Sequence, residues 1–240
     1  MQWHHLVTIV RKAAPAGSTG SYLKTSGGRS LALTAPIEPG DYEVRYVTGR
    51  SQTILGRAPV TITPAAATLD AAAEVIAGTT LSVKWTGPNN AGDLITIAAK
   101  GKPDGQYGNY TYTTKGSPLA VLVPIMAGDA ELRYMTGQGG KVLARRPFTV
   151  VAAEISLSAP AEVPAGSTLA VTWTGPANPG DFITVVPRAN PDNQYGNYVL
   201  TTKGSPLNVV APKEAGDAEI RYMSGQGNMV LMRRAIRITR

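Results

Sequence analysis

An internal repeat of 88 residues constrains the fold of this chain more than any other feature. When the sequence is shifted by 88 positions, residues 67–152 align with residues 155–240 without a gap, and 50 of the 86 aligned pairs are identical. Residues 1–66 align one period earlier as a more diverged copy. A fixed period indicates tandem copies of one structural unit. A unit of this length is long enough to form a core of its own.

The first copy is shorter than the other two. Met1 corresponds to Asn89, so this copy has no counterpart of residues 67–88, which include Trp85. We therefore expect three domains: an incomplete repeat over 1–65 that lacks its first strands, a complete repeat over 66–153, and another over 154–240. Either the chain is a fragment of a longer protein, or another segment completes its first domain.

Each copy has the hydrophobic pattern of β-strands. Leu81, Val83 and Trp85 alternate with polar residues, which is the period-2 signature of a half-buried strand. The same alternation occurs over residues 129–135, and shorter apolar runs are bounded by Gly, Pro and Asp. About seven strands per copy, with turn signals every 8–12 residues, predict an all-β fold made of β-sandwiches.

Several short segments of the sequence resemble parts of immunoglobulin-like domains. Residues 39–42 and 128–129 resemble the corner that leads into the sixth strand, where Tyr42 would act as a tyrosine corner by donating its hydroxyl to upstream backbone. Trp85 and Trp173 are candidates for the buried core tryptophan. Further phrases are similar to immunoglobulin-like repeats of bacterial exported proteins that also carry a von Willebrand factor A domain; these are residues 40–46, 133–138, 143–147, 173–176 and 179–184.

That resemblance covers nearly the whole chain and implies tandem immunoglobulin-like β-sandwich repeats with an 88-residue period. It also implies a secreted or cell-envelope location and a spacer or binding role without catalytic residues. The metal-binding Asp-x-Ser-x-Ser motif of the von Willebrand factor A domain does not occur in this sequence.

The composition excludes several kinds of site. The chain has no Cys, so disulfides, Cys-ligated zinc and thiol catalysis are excluded. His4 and His5 are the only histidines, and neighbours on a strand point to opposite faces. Calcium needs several oxygen ligands, whereas Asp70 and Glu154 are single acids at the two junctions.

No catalytic set of residues recurs between the copies, and no apolar run reaches the ~20 residues of a membrane helix. We expect no enzyme, no cofactor, no metal and no membrane span.

The charge pattern favours a solvated sheet face over a polyanion site. The net charge of +7 is spread over the copies, whereas a nucleic-acid interface concentrates basic and aromatic residues, so we expect no specific nucleic-acid partner. Arg133 lies two residues from Glu131 and Arg221 lies two from Glu219. Arg145 and Arg146 on the last strand are placed to pair with these acids. An anionic polymer is the alternative ligand. The arginines concerned are Arg133, Arg145, Arg146, Arg221, Arg233 and Arg234.

A tyrosine-containing loop is the most distinctive candidate for ligand binding. Residues 103–110 recur almost unchanged at residues 191–198. Tyrosine rings beside amides suit the stacking and hydrogen bonding that a sugar requires. Alternatively, these are turn residues whose tyrosines close the end of the sandwich. The candidate residues are Tyr107, Asn109, Tyr110, Tyr195, Asn197 and Tyr198.

Three functions fit these observations. The first is a structural or adhesive spacer of the bacterial envelope or exterior, made of tandem sandwiches and engaging a protein partner. The second is an assembly or filament subunit, because a sandwich without its first strands exposes an edge that a neighbour's strand can cover. The third is a module that binds an envelope glycan or another anionic polymer.

Overall fold

A computed structural model describes residues 5–240, which form β-strands and three single-turn 3-10 helices. The first strands make one antiparallel sheet, here called the N-terminal sheet, in the order β2-β1-β3-β4. Its strands are β1 (Leu6–Arg11), β2 (Tyr22–Lys24), β3 (Gly40–Val47) and β4 (Ile54–Ile62).

The next eight strands form the middle sandwich. A three-stranded sheet, β10-β7-β5, faces a five-stranded sheet, β6-β12-β11-β8-β9, in which β6 runs parallel to β12. The strands are β5 (Thr68–Asp70), β6 (Glu74–Ile76), β7 (Thr80–Thr86), β8 (Leu94–Ala99), β9 (Tyr110–Tyr112), β10 (Leu119–Leu122), β11 (Gly128–Met135) and β12 (Val142–Val151).

The last eight strands form the C-terminal sandwich with the same pairing. Its sheets have the orders β13-β15-β18 and β14-β20-β19-β16-β17. Each strand begins 88 residues after its counterpart in the middle sandwich. The strands are β13 (Ser156–Ser158), β14 (Glu162–Pro164), β15 (Thr168–Thr174), β16 (Phe182–Pro187), β17 (Tyr198–Leu200), β18 (Leu207–Val210), β19 (Gly216–Met223) and β20 (Val230–Thr239).

Each sandwich encloses its own hydrophobic core because most of its strands place apolar residues on the inner face. In β7, Leu81 and Val83 are buried while their neighbours Thr80, Ser82 and Lys84 are exposed. They pack with Ile97 and Leu132 of the opposite sheet. A separate cluster, which includes Trp173 of β15, forms the core of the C-terminal sandwich. The two sandwiches therefore have separate cores.

The structure confirms the all-β prediction and refines it. The strands predicted from alternation at residues 81–85 and 129–135 correspond to β7 and β11. Each complete sandwich has eight strands where about seven were expected, because its first strand is divided between the two sheets, as β5 and β6 or as β13 and β14. The Tyr42 hydroxyl donates a hydrogen bond to the carbonyl of Glu38 at 3.0 Å, so the predicted tyrosine corner is present.

The N-terminal sheet corresponds to four of the five strands in the larger sheet of a sandwich. Its residues 29–35 align with β10, but they pair with no strand among the described residues, since no counterpart of β7 lies beside them. No strand of residues 5–240 covers one face of this sheet, which is here called its open face. Within residues 5–240, no helix is long or apolar enough to cross a membrane.

Candidate interaction surfaces

The three units contact each other through the same hydrogen bond, used twice. The side-chain amide of Gln138 in the middle sandwich donates to the carbonyl of Ala35 in the N-terminal unit at 2.9 Å. The amide of Gln226 in the C-terminal sandwich donates to the carbonyl of Val123 in the middle sandwich at 3.0 Å. Both donors and both acceptors are 88 residues apart, so we call these equivalent contacts the first and second joints.

The side chains around this shared bond differ between the joints. At the first joint, the Lys141 ammonium pairs with the Glu38 carboxylate at 3.3 Å. The aligned residues at the second joint are Met229 and Met126, both exposed. The first joint therefore carries an ion pair where the second presents an apolar surface.

Asn109 adds another contact at the second joint. Its side-chain amide donates to the Gln226 side-chain oxygen at 2.9 Å and to the carbonyl of Leu122 at 3.0 Å. The sequence singled out this asparagine as a ligand residue; in the structure it is half-buried between the sandwiches. Its counterpart Asn197 in the C-terminal sandwich is exposed.

A buried carboxylate positions the loop that carries each joint glutamine. Asp93 accepts hydrogen bonds from the Tyr134 hydroxyl at 2.8 Å and from the backbone N–H groups of Asn90 and Gly137 at 3.0 and 2.8 Å. Gly137 directly precedes Gln138, so the carboxylate holds the backbone next to the joint. Asp181 makes the same contacts with Tyr222, Asn178 and Gly225.

An apolar groove of about 550 Å³ lies beside the second joint. Its walls come from the end of the middle sandwich and from two residues of the C-terminal sandwich. They include Ala99, Pro124, Ile125, Met126, Ala130, Val150, Gln226 and Met229.

A buried arginine on each central strand fastens the long loop beside it. Arg133 is fully buried, and its guanidinium donates to Glu131 and to the carbonyls of Pro103, Gln106 and Lys102. Arg221 of the C-terminal sandwich and Arg45 of the N-terminal sheet make equivalent contacts. Because burying a guanidinium requires this many acceptors, Arg133 and Arg221 are structural groups and do not offer charge to a ligand.

The neighbouring arginines on the last strands are also engaged. Arg145 contacts Glu131 at 2.8 Å and also Asp104, and Arg233 contacts Glu219 at 2.9 Å and Asp192 at 2.6 Å. This confirms the predicted pairing of Arg145 across the strands, and Arg233 pairs in the same way. The Arg233 contact lowers the pKa of Asp192.

The prediction that Arg146 pairs with the same glutamate is wrong, and its counterpart Arg234 does not contact Glu219 either. Adjacent strand residues point to opposite faces, so the side chains of Arg146 and Arg234 lie on the other side of the sheet from Arg145 and Arg233. Arg146 donates to the carbonyl of Ala71, and Arg234 donates to that of Ala159 at 2.9 Å.

The tyrosines of the repeated loop form exposed aromatic clusters. The Tyr107 and Tyr110 ring centroids are 5.6 Å apart in an edge-on arrangement, and those of Tyr195 and Tyr198 are 5.7 Å apart in the same way. All four rings are about half-exposed. Sugar binding at these clusters stays a prediction.

The open face of the N-terminal sheet carries a second groove, of about 470 Å³. Apolar side chains of three strands and of the unpaired segment at residues 29–35 line it. The lining residues are Val7, Ile9, Arg29, Leu31, Leu33, Ala35, Val44, Val60 and Ile62.

The described residues contain no group of three or more His, Asp or Glu side chains close enough to hold a metal ion. The His5 ring nitrogen lies 2.6 Å from the Tyr46 hydroxyl. His5 aligns with Asp93 and Tyr46 with Tyr134, so the N-terminal sheet has a histidine–tyrosine contact in place of aspartate–tyrosine. His4 lies outside the described residues.

Sequence reasoning missed the two joint glutamines and the two buried aspartates. Their signal was identity between copies, since Gly137-Gln138-Gly139 recurs as Gly225-Gln226-Gly227. Such motifs are also typical of ordinary turns, and the alignment alone does not show which loop contacts another domain.

No protein-family model and no curated protein matches this chain. Among solved structures, it is similar to FdeC, an Escherichia coli adhesin, with 16% identity over 87% of this chain and 76% of that chain, at a TM-score of 0.28. It is also similar to the FN1–FN3 domains of chicken CNTN1, with 10% identity over 98% and 91% of the two chains, at a TM-score of 0.29. A third similar structure contains the eight N-terminal Ig domains of Down Syndrome Cell Adhesion Molecule, with 14% identity over 87% of this chain and 32% of that chain, at a TM-score of 0.26. The assignment of fold class rests on the strand pairing of this chain itself.

Replacing a buried arginine should cost far more stability than replacing its partly exposed neighbour. Arg133→Leu leaves Glu131 without its buried partner and several carbonyls without donors, so we expect a loss of about 3–5 kcal/mol. Arg145→Leu removes a pair near the surface and should cost up to about 1 kcal/mol. Guanidinium unfolding of the two variants provides the measurement. Equal losses would contradict a structural role for Arg133.

The buried tyrosines predict a loss of stability at alkaline pH. Burial raises the pKa of Tyr134 and of Tyr222 from 10.0 to about 12, and the neighbouring aspartates act in the same direction. The folded state holds these protons where the unfolded state releases them, so this contribution is complete below pH 10 and is lost as the pH rises towards 12. Denaturant unfolding at several pH values measures it. Tyr134→Phe and Tyr222→Phe should flatten the decline, whereas the exposed control Tyr107→Phe should leave it unchanged.

Proposed function

We propose that this chain is a non-enzymatic structural or adhesive spacer of the bacterial cell envelope or exterior. It would consist of tandem immunoglobulin-like units over residues 1–65, 66–153 and 154–240 that set the distance and orientation of an attached partner. The recurrence of the Gln138 and Gln226 contacts carries this proposal. A spacer needs a defined angle between its domains, and the same hydrogen bond at each joint supplies one constraint on that angle.

The surfaces of the units are consistent with this function. The arginines of the central strands are directed into the protein, where carbonyls and carboxylates satisfy them. The buried aspartates bind backbone groups and a tyrosine of their own sandwich. The chain thus uses its strongest polar groups to hold loops and joints.

Spin labels can test whether the second joint fixes the angle. The chain has no Cys, so Lys115→Cys and Lys203→Cys place one label on each sandwich at aligned, exposed positions. We expect a narrow distribution of distances between the labels. Gln226→Ala should broaden it, because the hydrogen bond between the units is lost, while the exposed loop control Gln194→Ala should not. A broad distribution in the parent chain would contradict the spacer function.

Strand addition from a neighbour is the second candidate function, and the open face of the N-terminal sheet favours it. In the middle sandwich, β7 covers the corresponding face and pairs with β10, with Leu81 opposite Val121 and Val83 opposite Leu119. The counterparts of Leu119 and Val121 are Leu31 and Leu33, which line the groove in the N-terminal unit. A strand with the alternation of β7 would cover these side chains and pair with residues 29–35.

Stacking of chains end to end through the same kind of joint is less favourable. Arg50 stands at the position of Gln138 in the N-terminal unit. That unit therefore has no glutamine to donate to the aligned carbonyl, at Ala211, of another chain. If this chain assembles, the open sheet face is the better contact surface.

A peptide with the sequence of residues 67–88 provides a direct probe for the open face. We expect it to bind the full chain saturably and to protect the amides of residues 29–35 from exchange. A peptide carrying Val83→Asp should bind at least ten-fold more weakly, because it would bring a charge to the apolar face. Light scattering over a dilution series measures self-association separately. Absence of peptide binding to a folded N-terminal sheet would exclude strand addition.

A further inference from the structure

The corner beneath the first joint is filled by an aromatic side chain. Tyr42 is buried, its hydroxyl donates to the carbonyl of Glu38, and the Arg11 guanidinium lies 5.2 Å from the centre of its ring. The Glu38 side chain also pairs with Lys141 across the first joint. We use the word corner for this place beside the first joint, which contains the Tyr42 ring, the Arg11 guanidinium against the ring, and the ion pair between Glu38 and Lys141.

The same corner of the middle sandwich lacks these groups. Ala130 aligns with Tyr42 and Ala99 aligns with Arg11, so two large side chains are reduced to methyl groups. The groove beside the second joint lies at this place, and both alanines line it. The surrounding scaffold is nevertheless the same, since β8 and β11 pair as β1 and β3 do.

The mouth of this corner is apolar. Met126 and Met229 line the groove at the positions that Glu38 and Lys141 occupy in the first joint. Methionine side chains adapt to an inserted group and make favourable contacts with aromatic rings. An apolar wall with a few polar groups at its edge is typical of a binding pocket.

We propose that this corner binds an aromatic side chain, tyrosine in preference to phenylalanine, presented by an exposed segment of a partner protein. The ring would take the place that Tyr42 takes in the N-terminal unit. Its hydroxyl would donate to the carbonyl of Met126, the counterpart of Glu38. Because Gln226 and Met229 form part of the wall, the bound ring would contact both sandwiches. This inference goes beyond the spacer function and would make the second joint a recognition site.

The charges at the corner favour a neutral ring. The wall residues Pro124, Ile125 and Val150 are apolar, and Asp129 at the edge is paired with Lys100 at 3.2 Å. A charged side chain would lose its hydration without gaining a free partner there. A tyrosine keeps its ring in apolar surroundings and its hydroxyl on a carbonyl, as Tyr42 does.

The side-chain analogue p-cresol is a suitable probe for the isolated interaction. Methyl NMR spectra of the full chain should show saturable shifts of the Met126 and Met229 methyl groups. Toluene, which lacks the hydroxyl, should bind several-fold more weakly, because it cannot donate to the carbonyl of Met126. Shifts confined to other methionines, or equal affinity for the two probes, would overturn the assignment.

Two sets of variants separate this site from nonspecific binding. Ala130→Tyr should fill the corner from within and abolish the shifts, whereas the matched control Ala218→Tyr, at the aligned position of the C-terminal sandwich, should leave them unchanged. The double variant Met126→Glu with Met229→Lys changes only exposed side chains. It introduces at the second joint the same ion pair that Glu38 and Lys141 form at the first joint. It should reduce p-cresol affinity at least ten-fold, measured from the methyl shifts of the wall residues Ile125 and Val150, even if Ala130→Tyr fails to fold. Undiminished binding to the double variant would overturn the proposal.

Discussion

The geometry of each joint depends on a buried aspartate. An isolated carboxylate in the interior would cost several kcal/mol, so Asp93 and Asp181 are compatible with folding only because a tyrosine hydroxyl and two backbone N–H groups surround each of them. These donors come from separate segments, and each carboxylate therefore ties two loops to a core strand. One of the fixed loops carries the glutamine that reaches the neighbouring unit. The position of that glutamine is thus set from within the sandwich.

The buried arginines perform the same task at a different loop. Each guanidinium satisfies carbonyls in the long connection between two strands of the larger sheet, and a glutamate neutralises its charge. Because the side chain carries five donors in a fixed plane, it can fasten several turns at once. The N-terminal sheet retains this arrangement through Arg45, although no counterpart of β5 to β7 lies among residues 5–240. The loop is therefore held by contacts within the larger sheet.

Alternation was enough to predict β7, because its apolar residues are on one face, with Leu81 and Val83 buried, while its polar residues on the other face are exposed. The pairing of Arg145 with Glu131 could be predicted for the same reason, as both residues lie on one face of neighbouring strands. The burial of Arg133 could not be predicted. Its side chain is on the outer face of the sheet, where an arginine is usually in contact with solvent, and only the three-dimensional structure shows that the loop of residues 102–106 covers it. The joints were also beyond prediction: a Gln–carbonyl bond between units depends on an angle between domains that no local pattern contains. The apolar corner at Ala130 becomes visible only by comparison with Tyr42.

The three copies differ most informatively where they touch. The groups that hold each unit together recur at aligned positions, as Arg45, Arg133 and Arg221 do. The residues around the shared glutamine bond change instead, from an ion pair and a filled corner at the first joint to methionines and an open corner at the second. Substitution at such a place alters the contact surface without disturbing a core. Units that share their internal contacts in this way can keep one scaffold while each joint has its own chemistry, so the joints are where specificity can reside.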